Sequence, residues 1–368
     1  MEGGGPSNRV KSGGTMDDLL KTQTISISPA MLKTIAEIDE FKGAWTALGR
    51  LAPERLGQLR RVATIESIGS STRIEGSKLS DREVDQLLSN IDITAFESRD
   101  EQEVAGYAAA METVFAHYDD INLTENHVRQ LHRDLLQYVG KDERHRGEYK
   151  TLDNHVEAFD PDGKSLGIVF ETVSPFETPA QMQTLIAWTR EALDNDELHP
   201  LIVISVFVVV FLAIHPFQDG NGRLSRVLTT LLLLRSHYDY VPYASLESVI
   251  EQSKDGYYRA LRGTQGTLRI DSPDWQPWLD YFLGALRTQK RTLEEKIRRE
   301  KILLDSLPPL SVEILDIART QGRATVAEAA KITGKNRNTV KDHIRALTSS
   351  GHLVRHGAGR GTWYALAS

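Results

Sequence analysis

The apolar positions of this chain fall mostly at helical steps. Leu56, Leu59, Val62, Ile65 and Ile68 recur at three-residue intervals and predict a helix from about Pro53, closed by Gly76, that packs on a neighbour. Ser98 to Tyr118 and Thr124 to Val139 carry the same periodicity, and Ser98 with Glu101 has capping-box spacing. The run Leu201 to Ile214 is almost wholly apolar, yet it is shorter than the ~18–20 residues that cross a bilayer. It leads straight into a charged loop and reads as a central buried segment, although its β-branched residues would also suit a strand. Alternation changes character only in His155–Phe159 and Ser165–Phe170. These two β-prone runs are joined by Asp160-Pro161-Asp162-Gly163-Lys164, a turn that predicts a hairpin. The expected class is mainly α, a helical bundle with one β-hairpin laid over it.

The pattern shifts towards the C-terminus. After Asp274-Trp275-Gln276-Pro277-Trp278 comes a charged helix, Gln289 to Lys301, and then Pro308-Pro309, a boundary signal. Beyond it three short helices are expected, Val312–Thr320, Thr325–Thr333 closed by Gly334, and Asn338–Ser349. Two β-prone runs follow, His352–Arg355 and Thr362–Leu366, around Gly357–Gly361. That order resembles a winged helix-turn-helix domain with the glycine-rich segment as its wing tip. The division expected is a flexible stretch 1–20, an N-terminal helical segment 21–97, a core 98–288, a linker helix 289–305 and a terminal domain 306–368.

Charge sharpens this division. The 368 residues carry a formal charge of −7. The segment from Ser306 sets nine basic residues (Arg319, Arg323, Lys331, Lys335, Arg337, Lys341, Arg345, Arg355, Arg360) against four acidic ones (Glu313, Asp316, Glu328, Asp342), a formal +5. Such asymmetry suits a nucleic-acid contact, with Lys335, Arg337, Asn338, Thr339, Lys341 and His343 as donors to phosphate and base edges. A winged helix used for protein contacts or dimerisation would also fit. There is no cysteine, so neither disulfides nor thiolate metal sites are available, which suits a reducing compartment. Met1 to Thr15 is rich in Gly and Ser and has no apolar signal core; a cytoplasmic location is expected.

The most concentrated chemistry lies in His215-Pro216-Phe217-Gln218-Asp219-Gly220-Asn221-Gly222-Arg223-Leu224-Ser225-Arg226. The glycines permit a sharp turn with outward N–H groups, and a helix starting near Gly222 would add its positive end to an anion site. Arg223 and Arg226, three apart, can offer forked donors to a polyphosphate. Asp219 is a hard oxygen ligand suited to the magnesium that accompanies nucleotide phosphates. His215 is the group able to take a proton near neutral pH.

This string resembles the signature of Fic-domain proteins, His-Pro-Phe-x-Asp-Gly-Asn-Gly-Arg-x-x-Arg, at every specified position. The resemblance implies transfer of AMP from ATP to a hydroxyl of a target protein. His215 would be the base, Asp219 the Mg²⁺ ligand, and Gly220, Asn221 and Gly222 the anion cradle. Arg223 and Arg226 would hold the outer phosphates, with Phe217 as a core anchor. Gly222, where a phosphorylating branch has lysine, favours nucleotidyl transfer. The resemblance also decides for a helix over Leu201–Ile214.

Three further segments gain meaning from it. Ser71, Glu75 and Gly76 match an inhibitory-helix motif, which implies a glutamate inserted into the nucleotide site and paired with Arg226. The hairpin becomes a flap that aligns an extended target segment beside the histidine by strand pairing. Tyr257 and Tyr258 would sit at the adenine pocket, although the asparagine that often follows such a pair is not recognisable here. The expected function is a self-inhibited protein adenylyltransferase using ATP and Mg²⁺ on a Ser, Thr or Tyr, with itself as one candidate target. Two alternatives stand beside it: removal of AMP from a modified protein with Glu75 positioning water, and a DNA-binding regulator that uses the core as a nucleotide sensor. No membrane contact is expected, and a homodimer is left open.

Overall fold

A computed structural model describes residues 19–48, 53–90, 96–140, 144–154, 156–159, 165–305 and 307–366. The predicted glycine-rich N-terminus, His155, Ser306 and the Asp160–Lys164 turn lie outside these. The chain divides into two compact units, through Arg291 and from Thr292 onward.

The first unit is helical. Its elements in order are α1 (Pro29–Leu48), α2 (Pro53–Ile74), α3 (Asp81–Ser89), α4 (Arg99–His117), α5 (Glu125–Leu135), the strands β1 (Val156–Phe159) and β2 (Ser165–Phe170), α6 (Thr178–Asp194), α7 (Pro200–Ile214), α8 (Asn221–Arg235), α9 (Leu246–Gln252) and α10 (Lys254–Gln265). The helix α11 (Gln276–Asp305) starts in this unit. Leu201 to Ile214 is indeed a helix, and every one of its residues is buried. Each large aliphatic side chain so buried contributes about 1.5–3 kcal/mol, so tertiary burial overrides the weak helix propensity of its valines. β1 and β2 form an antiparallel hairpin, with Val156 opposite Phe170 and Phe159 opposite Ser165. Among the described residues no helix is long and apolar enough to cross a membrane.

Local signals fix several helix starts. Ser98 and Glu101 close the predicted capping box at α4, and Ser80 and Glu83 close another at α3. Three expectations need correction. The apolar stripe of α2 does not all pack: Val62 is 50% exposed, and the buried face is instead Ala63, Ser67, Ile68, Ser70, Ser71, Thr72 and Ile74. Small hydroxyl residues can enter there because Thr72 Oγ1 satisfies itself on the carbonyls of Ile68 and Gly69. α5 ends at Leu135 rather than Val139, in a turn that still buries Leu136 and Val139. α11 begins at Gln276, not Gln289, because Pro277 lies in its first turn, where no intrahelical N–H is required.

The second unit has its own core. The helices α12 (Pro309–Thr320), α13 (Val326–Thr333) and α14 (Arg337–Ser349) are followed by the hairpin β3 (Leu353–His356) and β4 (Trp363–Leu366). Ile314, Leu315, Val340, Ile344, Leu347 and Leu353 are among the residues that close this core. Ala324 pairs with Tyr364 through two backbone hydrogen bonds, adding the stretch before α13 to the edge of the hairpin.

Candidate functional site

The site is made where α7 stops. His215 caps that helix in the left-handed region, φ 53°, which few residues other than glycine adopt. Such strain costs of order 1–3 kcal/mol and marks a position fixed by its surroundings. Further along the loop, Gly220 (φ 78°) starts α8, whose first residue is Asn221. Asn221 locks the intervening loop, since its side chain accepts from Phe217 N at 2.9 Å and donates to Phe217 O at 2.7 Å. Its amide side chain is therefore spent inside the loop, and only its backbone N–H remains for an anion. Phe217 is fully buried, as predicted, and stacks on His132 with 3.8 Å between ring centres.

His132 was not legible as a site residue. Its Nδ1 accepts from Gly147 N at 2.9 Å, which leaves Nε2–H to donate to Asp219 O at 3.0 Å. Burial pushes this imidazole down to about 4, so it is a neutral strut under the loop.

The imidazole of His215 is also neutral. Burial, opposed by the contact of Nδ1 with Leu212 O at 3.3 Å and reinforced by the charge of Lys150, brings it down to about 4. With Nδ1–H donating to Leu212 O, Nε2 carries the lone pair. Lys150 is itself buried and pushed down to about 8 by that burial.

Two arginines face the start of α8 from within it. Arg226 is 4% exposed; its Nε donates to Ser71 Oγ at 2.8 Å, and its Nη2 to Ser71 O at 3.0 Å and Glu75 Oε1 at 2.7 Å. Burial works against its charge, but Glu75 outweighs this and holds the guanidinium above its ordinary range. Arg223 is as deeply placed, with Nη1 3.0 Å from Glu103 and Nη2 3.4 Å from Asp219. Even so, Arg226 Nη1 and Arg223 Nε are buried without a hydrogen-bond partner. Buried donors of this kind call for an acceptor, and beside a helix N-terminus a phosphate fits that need.

Ser71, Glu75 and Gly76 lie at the C-terminal end of α2. The Glu75 carboxylate rests directly on Gly222, where any Cβ would collide with it. The end of α2 is tied down: Arg73 donates to Glu251 at 2.7 and 3.0 Å and to Asp81 at 2.9 Å, and Lys254 Nζ donates to Ile74 O at 2.7 Å. Gly76, φ 109°, follows at once.

Asp219 accepts from Arg99 Nη2 at 2.8 Å and from Gly220 N at 2.6 Å. Arg99 also donates to Glu103 at 2.8 Å, so the carboxylate belongs to a cluster with Arg99, Glu103 and Arg223. No group of three metal-ligating side chains exists among the described residues. A lone carboxylate fits a magnesium held jointly with polyphosphate oxygens, rather than by protein ligands alone.

The two tyrosines part company. Tyr257 is 4% exposed and packs edge-on to Tyr258, Trp278 and Tyr281, a core position. Tyr258 is half-buried, and burial, then Glu75, pushes its phenol up to about 12. Of the pair it is the one open to a ligand.

In the second unit Lys335, Arg337, Asn338, Thr339 and Lys341 are exposed around the start of α14, capped by Asn336. His343 departs from the expectation that it donates outward: it is half-buried, and its Nδ1 lies 2.8 Å from Ser311 Oγ.

A family model described as the Fic/DOC family matches residues 122–233. Over 240 residues the chain is 27% identical to the protein adenylyltransferase Fic of Drosophila grimshawi, covering 64% of this chain and 45% of that protein. Over 191 residues it is 28% identical to a probable protein adenylyltransferase of Aquifex aeolicus, covering 51% and 53%. A Fic family protein of Desulfovibrio desulfuricans superposes with a TM-score of 0.62 and 26% identity, covering 93% of this chain and 97% of that one. The chain spans about half the length of the curated relatives it matches.

Proposed function

On the premise that residues 122–233 are a Fic domain, we propose that the chain is a protein adenylyltransferase held inactive by its own Glu75. The observation that carries this reading is the set of buried, unpartnered guanidinium N–H groups of Arg223 and Arg226 at the start of α8, beside a neutral imidazole. A target hydroxyl would attack the α-phosphorus of ATP. The O–P bond forms as the bond to the β-phosphate oxygen breaks, the proton passes to His215 Nε2, and pyrophosphate departs. Polyphosphate charge beside His215 raises its basicity towards the working range. Catalysis then comes from positioning and charge neutralisation, with no covalent enzyme intermediate. Asp219 would hold Mg²⁺, which neutralises charge on the phosphates. Tyr258 would flank the base.

Glu75 opposes this by occupying Arg226 Nη2 and covering Gly222, where the outer phosphates belong. Glu75→Gly should raise AMP transfer from α-labelled ATP by about 10²-fold, the equivalent of releasing a few kcal/mol from a charge pair in which the arginine is desolvated and the carboxylate partly open to water. His215→Ala in that background should remove ~10²–10⁴-fold. Intact mass reads both: AMP gained by Glu75→Gly and by neither wild type nor the double variant supports the proposal. Equal transfer by wild type and Glu75→Gly refutes the inhibition. Loss of AMP from a premodified protein, dependent on Glu75, would favour the reverse reaction instead, with the carboxylate holding water.

A second activity is favoured by the exposed basic residues at the start of α14. We read the terminal unit as a winged helix that binds DNA, and we assign the chain to the cytoplasm, in keeping with its lack of cysteine.

A further inference from the structure

We infer that Lys150, Asn154 and Thr172 are positioning residues that hold His215 for proton transfer from the two roots of the β-hairpin; the inference rests on the proposed reaction.

Four consecutive carbonyls, from the last residue of α7 onward, each accept from the same short segment. Lys150 Nζ donates to Ile214 O at 3.1 Å and Asn154 Nδ2 to His215 O at 3.3 Å. Lys150 N donates to Pro216 O at 2.8 Å and Asn154 Nδ2 to Phe217 O at 2.6 Å. The last carbonyls of a helix are orphaned, and here they are satisfied in a way that fixes a left-handed histidine. The ammonium spends its other two protons on Asn154 Oδ1 at 2.8 Å and Thr172 Oγ1 at 2.9 Å, so all three are used. Thr172 Oγ1 in turn donates to Asn154 Oδ1 at 3.1 Å.

Packing alone does not account for this arrangement. Lys150 is 3% exposed, and burying an ammonium is unfavourable unless every proton is met; a methionine would fill the same space without that demand. The connections also have a direction. Lys150 and Asn154 precede β1 and Thr172 follows β2, so the segment that enters the hairpin and the segment that leaves it meet on the backbone of the base. Charged and titratable groups acting on His215 are Lys150, Glu75 and Asp219, and Lys150 alone among them belongs to the hairpin roots.

The test uses the full chain carrying Glu75→Gly, with Lys150→Met, Thr172→Val or Thr172→Ser added. Steady-state rates with α-labelled ATP give kcat and KM, and the ring resonances of His215, assigned against His215→Ala, are recorded without nucleotide. Lys150→Met should lower kcat about 10–100-fold, the scale of a small misplacement of a reacting group. Its KM for ATP should stay within about twofold, because nucleotide binding is untouched, and the His215 ring signals should move. Thr172→Val should act in the same direction with a smaller change, while Thr172→Ser, which keeps the hydroxyl, should match the parent. Unchanged kcat and unchanged His215 signals in Lys150→Met and Thr172→Val overturn the inference, as does a loss confined to KM. If Lys150→Met does not fold, equal behaviour of Thr172→Val and Thr172→Ser overturns it alone. If the Glu75→Gly parent transfers no AMP, the reaction assigned to the site has failed, and the histidine signals still decide whether Lys150 positions the ring.

Discussion

The helices α8 (Asn221–Arg235) and α14 (Arg337–Ser349) begin alike and are finished differently. Each presents basic side chains at the positive end of a helix. In α8 the arginines are 3% and 4% exposed and answered by Glu75, Glu103 and Asp219. In α14 and just before it, Lys335, Arg337 and Lys341 stand in solvent. A desolvated cation interacts strongly and must be paired, so α8 suits one compact anion that takes the place of Glu75. A solvated cation is screened within about 8–10 Å, so α14 suits a polyanion met by many charges at once.

The largest effect should come from breaking the buried end. Arg226→Ala, made in the Glu75→Gly background so that no carboxylate is stranded, removes two partnered donors and the unpartnered Nη1. Removing such a preorganised donor group lowers turnover by about 10²–10³-fold. Transfer of labelled AMP measures it, and a decrease under about threefold would show that Arg226 serves only to receive Glu75.

The buried end was legible in the sequence because its parts are contiguous. His215, Asp219, the two glycines and both arginines fall within twelve positions, and loop closure by Asn221 needs only the neighbouring Phe217. Glu75 is different: a lone glutamate carries no signal, and only the resemblance gave it a role before the structure set it against Gly222. Lys150, Asn154, His132 and Arg99 were not read at all. Each acts across a long stretch of chain, and three of the four bind backbone carbonyls, which have no side-chain identity for a sequence pattern to register. Periodicity with a capping box marked α4, whereas α7, buried all round, has no apolar period to read and became a helix before the structure only through the resemblance. The pattern misled in α2, whose buried side sets three serines and Thr72 beside Ala63, Ile68 and Ile74, and in α11, whose start at Gln276 lies well before the charged stretch from Gln289.

The exposed end should respond more gently, and in a way the buried one cannot. Arg337→Ala should weaken binding of a DNA duplex by roughly eightfold near 0.1 M salt and reduce the slope of log K against log salt by about 1, as expected when one fewer phosphate is neutralised. Fluorescence anisotropy across a salt series reads both quantities. AMP transfer should be unchanged in the same variant, since α14 belongs to the second unit and the anion site to the first. An unaltered slope would assign α14 to a protein contact.

Arg73 offers the intermediate case and the smallest effect. Its guanidinium is 22% exposed and bridges the last turn of α2 to Glu251 and Asp81, which are 29% and 48% exposed. Hydrogen bonding to Glu251, against the pull of burial, raises its pKa above the ordinary arginine value. The latch does not touch the anion site; it acts through Glu75, two residues on. Pairs this open to water contribute about 0.2–1 kcal/mol, so Arg73→Ala should release inhibition only about two- to fivefold. Lys254, still bonded to Ile74 O, keeps the helix end partly in place. The release should shrink further in high salt, whereas the effect of Glu75→Gly, made at a 4% exposed partner, should not. A release by Arg73→Ala as large as that by Glu75→Gly would mean that inhibition is set by where the end of α2 rests, and that the ion pair of Glu75 with the buried Arg226 contributes little of its own.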